Sequence, residues 1–324
     1  MTRPFLAALA AGLMTSAAAL AEPTVYVAGG TSNEVFVVDA ATDQVVESFP
    51  GFANAHGLVA TPDGEYVVAG SLKEDPKADK AENSGLYILH PAHGHVMSVI
   101  PVAGMTHHQA ITPDGRWVLS THMTRGAVSV MDMQSGEIVA TVSTGPGPNY
   151  TLVSADGSTA FVSNSGNGTI SEIAVADWSV RRTLEAGPAP EHMVFAPDEQ
   201  TIFVTNPRGG TVSAVSVAGG AVARSYQVGP DVHGLDISDD GKTLFVTSKK
   251  DQKLTAIDIA SDARRSLALE PSPYHLTAIR GTGKLYVSSS KAPTLWIVDQ
   301  ADLSLKGEIA IRGEGHQMSI VSAQ

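Results

Sequence analysis

Six of the eleven histidines occupy one column of an internal repeat about 42 residues long. Aligned on the turn that follows, the segments read AHGLVATPDG, HHQAITPDG, NYTLVSADG, EHMVFAPDE, VHGLDISDDG, YHLTAIRGTG and, at the C-terminus, GHQMSIV. The shared position holds His56, His108, Tyr150, His192, His233, His275 and His316, with steps of 52, 42, 42, 41, 42 and 41 residues. Imidazole is a base near neutral pH and the commonest side-chain metal ligand. A circular fold would carry every copy of the column to one axis. Two to four neutral imidazoles there make a transition-metal site. Six around one cavity could hold a polynuclear centre or enclose a flat cofactor with axial ligands.

The repeat itself predicts the circle. Each unit has a short strand after the column, ending in Pro-Asp-Gly or a relative, a favourable tight turn. A second strand follows (EYVVAGS, RWVLSTH, TAFVSNS, TIFVTNP, TLFVTSK, KLYVSSS), then a third such as VSVMDM or LWIVDQ, and a fourth such as EIVATVSTG. Four strands in about 40 residues mark a β-propeller blade. After the expected export signal the sequence opens on TVYVAGG, a second-strand sequence with no first strand before it, and the C-terminus supplies HQMSIV, a first strand with no successor. The expected fold is therefore all-β: a seven-bladed β-propeller, its ring closed by the C-terminal strand pairing with the N-terminal segment.

Residues 1–21 read as an export signal: Arg3, an apolar stretch from Phe5 to Leu20, and the small-x-small site Ala19-Leu20-Ala21. Residues 22–324 then form one propeller domain, located in the periplasm, with no membrane span once the signal is removed. There is no cysteine, which excludes disulfides, zinc–thiolate sites, Cys-x-x-Cys-His haem attachment and a cysteine nucleophile. The net charge of −12, without an evident Lys/Arg cluster, argues against nucleic acid as a partner. No nucleophile elbow, phosphate loop or dinucleotide fingerprint is present. Nothing positive marks the chain as an enzyme on its own.

The strings IFVTN, AFVSN, LFVTS and LYVSS, each between a Pro-Asp-Gly-like turn and a third strand, resemble YVTN-type (YncE-like) propeller repeats over residues 24–321. That resemblance implies the fold; the family spans many functions. In the wider superfamily, the nitrous oxide reductase propeller is similar in carrying a histidine ring, which there holds a copper cluster. The cytochrome cd1 propeller is similar in enclosing haem d1. This chain has neither a cupredoxin nor a cytochrome c domain, so it is neither complete enzyme.

The column supplies the metal-ligand candidates: His56, His108, His192, His233, His275 and His316, joined by His122 in the loop STHMTRG on the same face. His107 and Tyr150 are candidate cofactor contacts. Glu191, Asp231 and Glu314 flank the column, and carboxylates commonly hold a ligating imidazole through its second nitrogen. Met105, Met123, Met193 and Met318 lie nearby, and thioethers favour copper, although methionine in strands is usually core filler. A duplicated structural histidine would also make a column. Against that, the residue after it varies freely: Gly, Gln, Thr, Met, Gly, Leu, Gln.

The expected function is binding of copper or zinc at a histidine-lined channel mouth, for storage or delivery to another exported protein docking on that face. The alternatives are a non-covalent haem-d1-type tetrapyrrole, a metal-dependent hydrolase or lactonase, and an interaction scaffold. The charged insertion Ser71–Ser84 accounts for the long first step and reads as a lid, a docking loop or a plain surface insertion. His90, His93 and His95 fall on the opposite face and read as a polar turn. The recurring aspartates Asp63, Asp114, Asp156, Asp198 and Asp240, with Asp39, Asp132, Asp258 and Asp299, read as turn hydrogen bonders.

Overall fold

The computed structural model describes residues 23–321; the expected export signal lies outside the described residues. Its strands form seven four-stranded antiparallel sheets, with a single short 3-10 turn, Pro91–His93, among the described residues. Blade 1 is assembled from both ends of the chain: Met318–Val321 is its inner strand, followed outward by Thr24–Ala28, Glu34–Asp39 and Gln44–Pro50. The seam is antiparallel, with Thr24 opposite Val321 and Val27 opposite Met318. Ring closure therefore follows the strand count at the two termini.

The core lies between blades rather than within them. Val25, Val27 and Phe36 of blade 1 pack on Tyr286, Leu295 and Ile297 of blade 7, and equivalent clusters recur around the ring. Second strands such as Thr159–Asn164 are buried almost end to end, whereas fourth strands such as Ser179–Glu185 face solvent. The aspartates of both sets sit in turns: Asp63 Oδ1 accepts from Thr61 Oγ1 and Glu65 N, and Asp39 Oδ1 accepts from Ala41 N.

Two devices aim the column. The first is a register shift at the start of the inner strand. Between Ala55 and Leu58, Pro148 and Thr151, Val232 and Leu235, and Pro273 and Leu276, the inner strand carries one residue more than its neighbour. Such a bulge re-aims a side chain, and here the re-aimed residue is the column residue. In two blades the bulge is His-Gly, because the backbone of the next blade comes too close for a Cβ. At Gly57 a Cβ would stand 2.3 Å from the His107 carbonyl oxygen, and at Gly234 it would stand 2.4 Å from that of Tyr274.

The second device is a hydroxyl on the second strand. Thr121 Oγ1 accepts from His108 N (3.0 Å) and donates to Asn149 O of the next blade (2.7 Å). Ser163 accepts from Tyr150 N and donates to Glu191 O; Thr247 accepts from Gly234 N and donates to Tyr274 O. Thr205 and Ser288 accept from His192 N and His275 N. Each buried hydroxyl thus satisfies the backbone at the column, and three of them bridge to the next blade. Thr121→Val should cost about 1–3 kcal/mol in urea unfolding, the loss expected when buried donors and acceptors go unpaired. Thr183→Val, on an exposed outer strand, should change stability by no more than about 0.5 kcal/mol. Equal effects at the two positions would show that the bridge does not stabilise the ring.

Candidate metal centre

The column converges. Going round the axis, each ring meets the next: His316 to His56 at 4.4 Å between centroids, His56 to His108 at 4.9 Å, and His108 to Tyr150 at 4.8 Å. Tyr150 to His192 is 4.9 Å, His192 to His233 4.4 Å, His233 to His275 5.0 Å, and His275 back to His316 5.6 Å. Distances across the ring are no longer: His56 to His275 is 5.3 Å and His108 to His275 is 5.5 Å. The channel mouth is a packed plug of imidazoles. All six column histidines are buried.

His107, one residue ahead of His108, joins the plug from the rim at 4.3 Å from His56 and is partly exposed. His122 stands apart. It ends the strand Trp117–His122, where Nε2 meets Ser129 Oγ (2.7 Å) and Nδ1 meets Gly104 O (3.3 Å). Asn164 and Asn206 fill the same place in their repeats and bond Ser171 and Ser213 in the same way. His122 is therefore a cross-strand hydrogen bonder. Met193 and Met318 pack in the inter-blade cores, which explains them without a metal. On the opposite face His90 stacks on His93 at 4.0 Å around the Pro91 turn.

The flanking acids divide. Asp231 pairs with Lys249 and Glu314 accepts from Thr31, so both are engaged at the rim. Glu191 reaches past its neighbour His192 to the next blade, placing Oε2 3.2 Å from His233 Nδ1. Tyr274, which no sequence pattern had singled out, stacks on the same imidazole at 4.2 Å and 14°. His107, Asn149, Glu191 and Tyr274 all immediately precede the column. That second polar column was the available signal for them.

Burial pushes the pKa of His56, His108, His192, His233 and His275 well below the ordinary value. It pushes His107 and His316 down to about 4. Burial also raises the Glu191 carboxyl, against the pull of Lys249 and His107. At neutral pH the plug is thus a set of uncharged imidazoles, the form that offers a lone pair. Asn149 O lies 3.1 Å from His108 Nδ1. A carbonyl can only accept, so that nitrogen holds the proton and Nε2 carries the lone pair.

With His233 Nδ1 facing Glu191, seven buried ring nitrogens of the column meet no partner: both of His56, Nε2 of His108, His192, His233 and His275, and Nδ1 of His316. An unsatisfied buried polar group costs about 1–3 kcal/mol, and a whole domain is stable by only about 5–15 kcal/mol. Seven such groups would consume most of that margin unless something binds them. The spacing suits a cation. His56, His107 and His108 place one nitrogen each within 4.8 Å of one another; so do His56, His275 and His316, and His108, His192 and His275. Zn–N bonds of about 2.0–2.1 Å put tetrahedral donors about 3.3–3.4 Å apart, a contraction within reach of small χ rotations.

No protein-family model matches the chain, and no curated protein matches it. Solved structures do. A functionally unknown protein from Desulfotomaculum acetoxidans is 14% identical with a TM-score of 0.75, covering 93% of this chain and 99% of that one. The periplasmic gluconolactonase of Pseudomonas aeruginosa is 16% identical with a TM-score of 0.75 over the same shares. A hydrazine synthase chain of Kuenenia stuttgartiensis is 17% identical with a TM-score of 0.69, covering 83% and 95%. These likenesses establish the seven-bladed propeller fold, and the histidine groups that could bind a metal are features of this chain's own sequence.

The neutral state of the plug sets a pH dependence for metal-free protein. Above about pH 6.5 neither folded nor unfolded chain protonates these histidines, and they add no slope. Below it the unfolded chain takes up protons that the buried rings refuse, so stability falls with pH, by up to about 1.4 kcal/mol per pH unit for each histidine. For His107 and His316 the loss levels off near pH 4, where the folded rings also protonate. The urea midpoint should drop steeply between pH 7 and pH 5. A flat profile would mean that the rings are not held neutral.

Proposed function

We propose that this protein binds a transition-metal cation, copper or zinc, in the imidazole plug and serves to store it or deliver it to another exported protein. One observation carries the reading: seven unpartnered ring nitrogens, on histidines from six different blades, converge in one buried cluster. The donor set is nitrogen only, which suits zinc and copper and disfavours magnesium and calcium. His56, His108, His192, His275 and His316, with His107, would hold the ion; His233, backed by Glu191 and Tyr274, borders the site. Coordination would satisfy up to three of the unpartnered nitrogens at a time. The export signal expected at residues 1–21 supports a periplasmic location for this role; among the described residues no helix is long and apolar enough to cross a membrane.

The tetrapyrrole reading fits less well. Rings 5.3–5.5 Å apart across the plug leave no slot for a macrocycle between them. A hydrolase or lactonase reading has one specific support: the Glu191–His233 pair, in which a carboxylate backs an imidazole whose Nε2 is unpartnered, on the fold shared with a gluconolactonase. A carboxylate-backed imidazole is the arrangement of a general base.

The test is metal analysis of protein isolated from its native compartment, followed by Zn2+ and Cu+ titration of unaltered chain and of His275→Gln. We expect bound metal in the first and affinity weakened by at least about tenfold, 1.4 kcal/mol, in the variant. Metal-free protein whose column variants take up both ions like the parent would end the proposal. Lactone hydrolysis abolished by His233→Gln in metal-free protein would favour the second reading.

A further inference from the structure

The three ligand triads are not independent. His56 belongs to the first and second, His108 to the first and third, and His275 to the second and third. A neutral imidazole has one lone pair, so a shared ring serves one ion at a time, and no two triads can fill together. Yet each pair of triads has a ligand in common, so an ion can pass between them while one bond is kept.

The triads also differ in depth. His56, His275 and His316, and likewise His108, His192 and His275, are composed of buried column residues. The first triad contains His107, which is partly exposed and precedes the column on the chain arriving from the mouth loop. Its ring makes one long polar approach, Nδ1 to Asn149 O at 3.4 Å. His107 is thus the rim member, and the least tightly held.

Resting on the metal-binding reading above, we propose that the plug is a one-ion relay entered at His107. The cation is first taken by His107, His56 and His108. It then moves inward by exchanging His107 and one partner for His275 with His316, keeping His56, or for His275 with His192, keeping His108. Release runs the same steps outward. No charge or proton is transferred; two neutral nitrogens replace two neutral nitrogens while the third is kept. His107 governs the rate of exchange and His275 the depth of the resting site.

The experiment uses the full chain with Zn2+ and, in parallel, Cu+ kept reduced. It reads bound ions per chain, equilibrium affinity, and the rate at which loaded protein surrenders metal to a chromogenic chelator. The unaltered chain should bind one ion. His107→Gln should still bind one with affinity within about threefold, and exchange at least about tenfold more slowly. His275→Gln retains only the rim triad and should bind one ion at least about tenfold more weakly and exchange faster. His107→Asn, which keeps an amide facing Asn149, stands in if Gln lowers the melting temperature. Two ions bound by unaltered chain, unchanged exchange in both His107 variants, or a loss of affinity at His107 equal to that at His275 would each overturn the relay. If the unaltered chain binds neither ion, the metal reading itself fails, an outcome distinct from these.

Discussion

The structure depends on confining six column imidazoles and His107 around one axis while leaving seven of the column's ring nitrogens without partners. Hydrophobic packing would favour apolar residues at this place, as it does between the blades, and hydrogen bonding would favour pairing each ring with a carbonyl or hydroxyl. His122 shows the second solution: both its nitrogens are engaged, and asparagine substitutes for it in the next two repeats. The column takes the second course at His108 Nδ1, which meets Asn149 O, and at His233 Nδ1, beside Glu191, and elsewhere largely takes neither. Its rings contact one another and are neutral because charging any of them in that cavity is costly. An arrangement so unfavourable for the isolated protein is favourable for one that binds an electron-pair acceptor.

The scaffold can bear this because its stability comes from elsewhere. Seven apolar clusters lie between the blades, outside the plug, and each belongs to a neighbouring pair of sheets. The backbone at the axis is secured separately. The strand bulges, the close approaches at Gly57 and Gly234, and the hydroxyls of Thr121, Ser163 and Thr247 fix where each inner strand begins. Because those hydroxyls reach the residue just before the next column member, the position of one imidazole helps to set the next. Preorganisation of the ring is thus a property of main-chain bonding, which leaves the ring nitrogens free.

Much of this was legible in the sequence, for physical reasons. A propeller places one supersecondary unit per repeat, so a residue type recurring at fixed phase must recur at one radius and height; His56 to His316 read out the site for that reason. The seam was legible because a second-strand opening and a first-strand ending can only complete each other. What failed to show depends on inter-blade geometry. His122 shares a residue type and a face with the column, but its strand neighbour Ser129 decides its role. Glu191 adjoins His192 in sequence yet meets His233 of the next blade, a contact that only the packing of neighbouring blades reveals. Tyr274 lay hidden because its column mixes His, Asn, Glu and Tyr, and a mixed column has no recurring type to notice.

The seam and the site meet in one segment. His316 N donates to Ala28 O, and Gln317 N donates to His56 O, just before the closing strand begins at Met318. The Gln317 side chain continues the link, accepting from Leu58 N and donating from Nε2 to Gln109 O of blade 3. An ion held by His56, His275 and His316 would therefore join blades 2, 7 and 1 beside the four-residue strand that ties the two ends of the chain. Binding energy placed there acts on closure itself. Linkage then requires the converse: whatever loosens the pairing of Thr24–Ala28 with Met318–Val321 also lowers affinity in that triad.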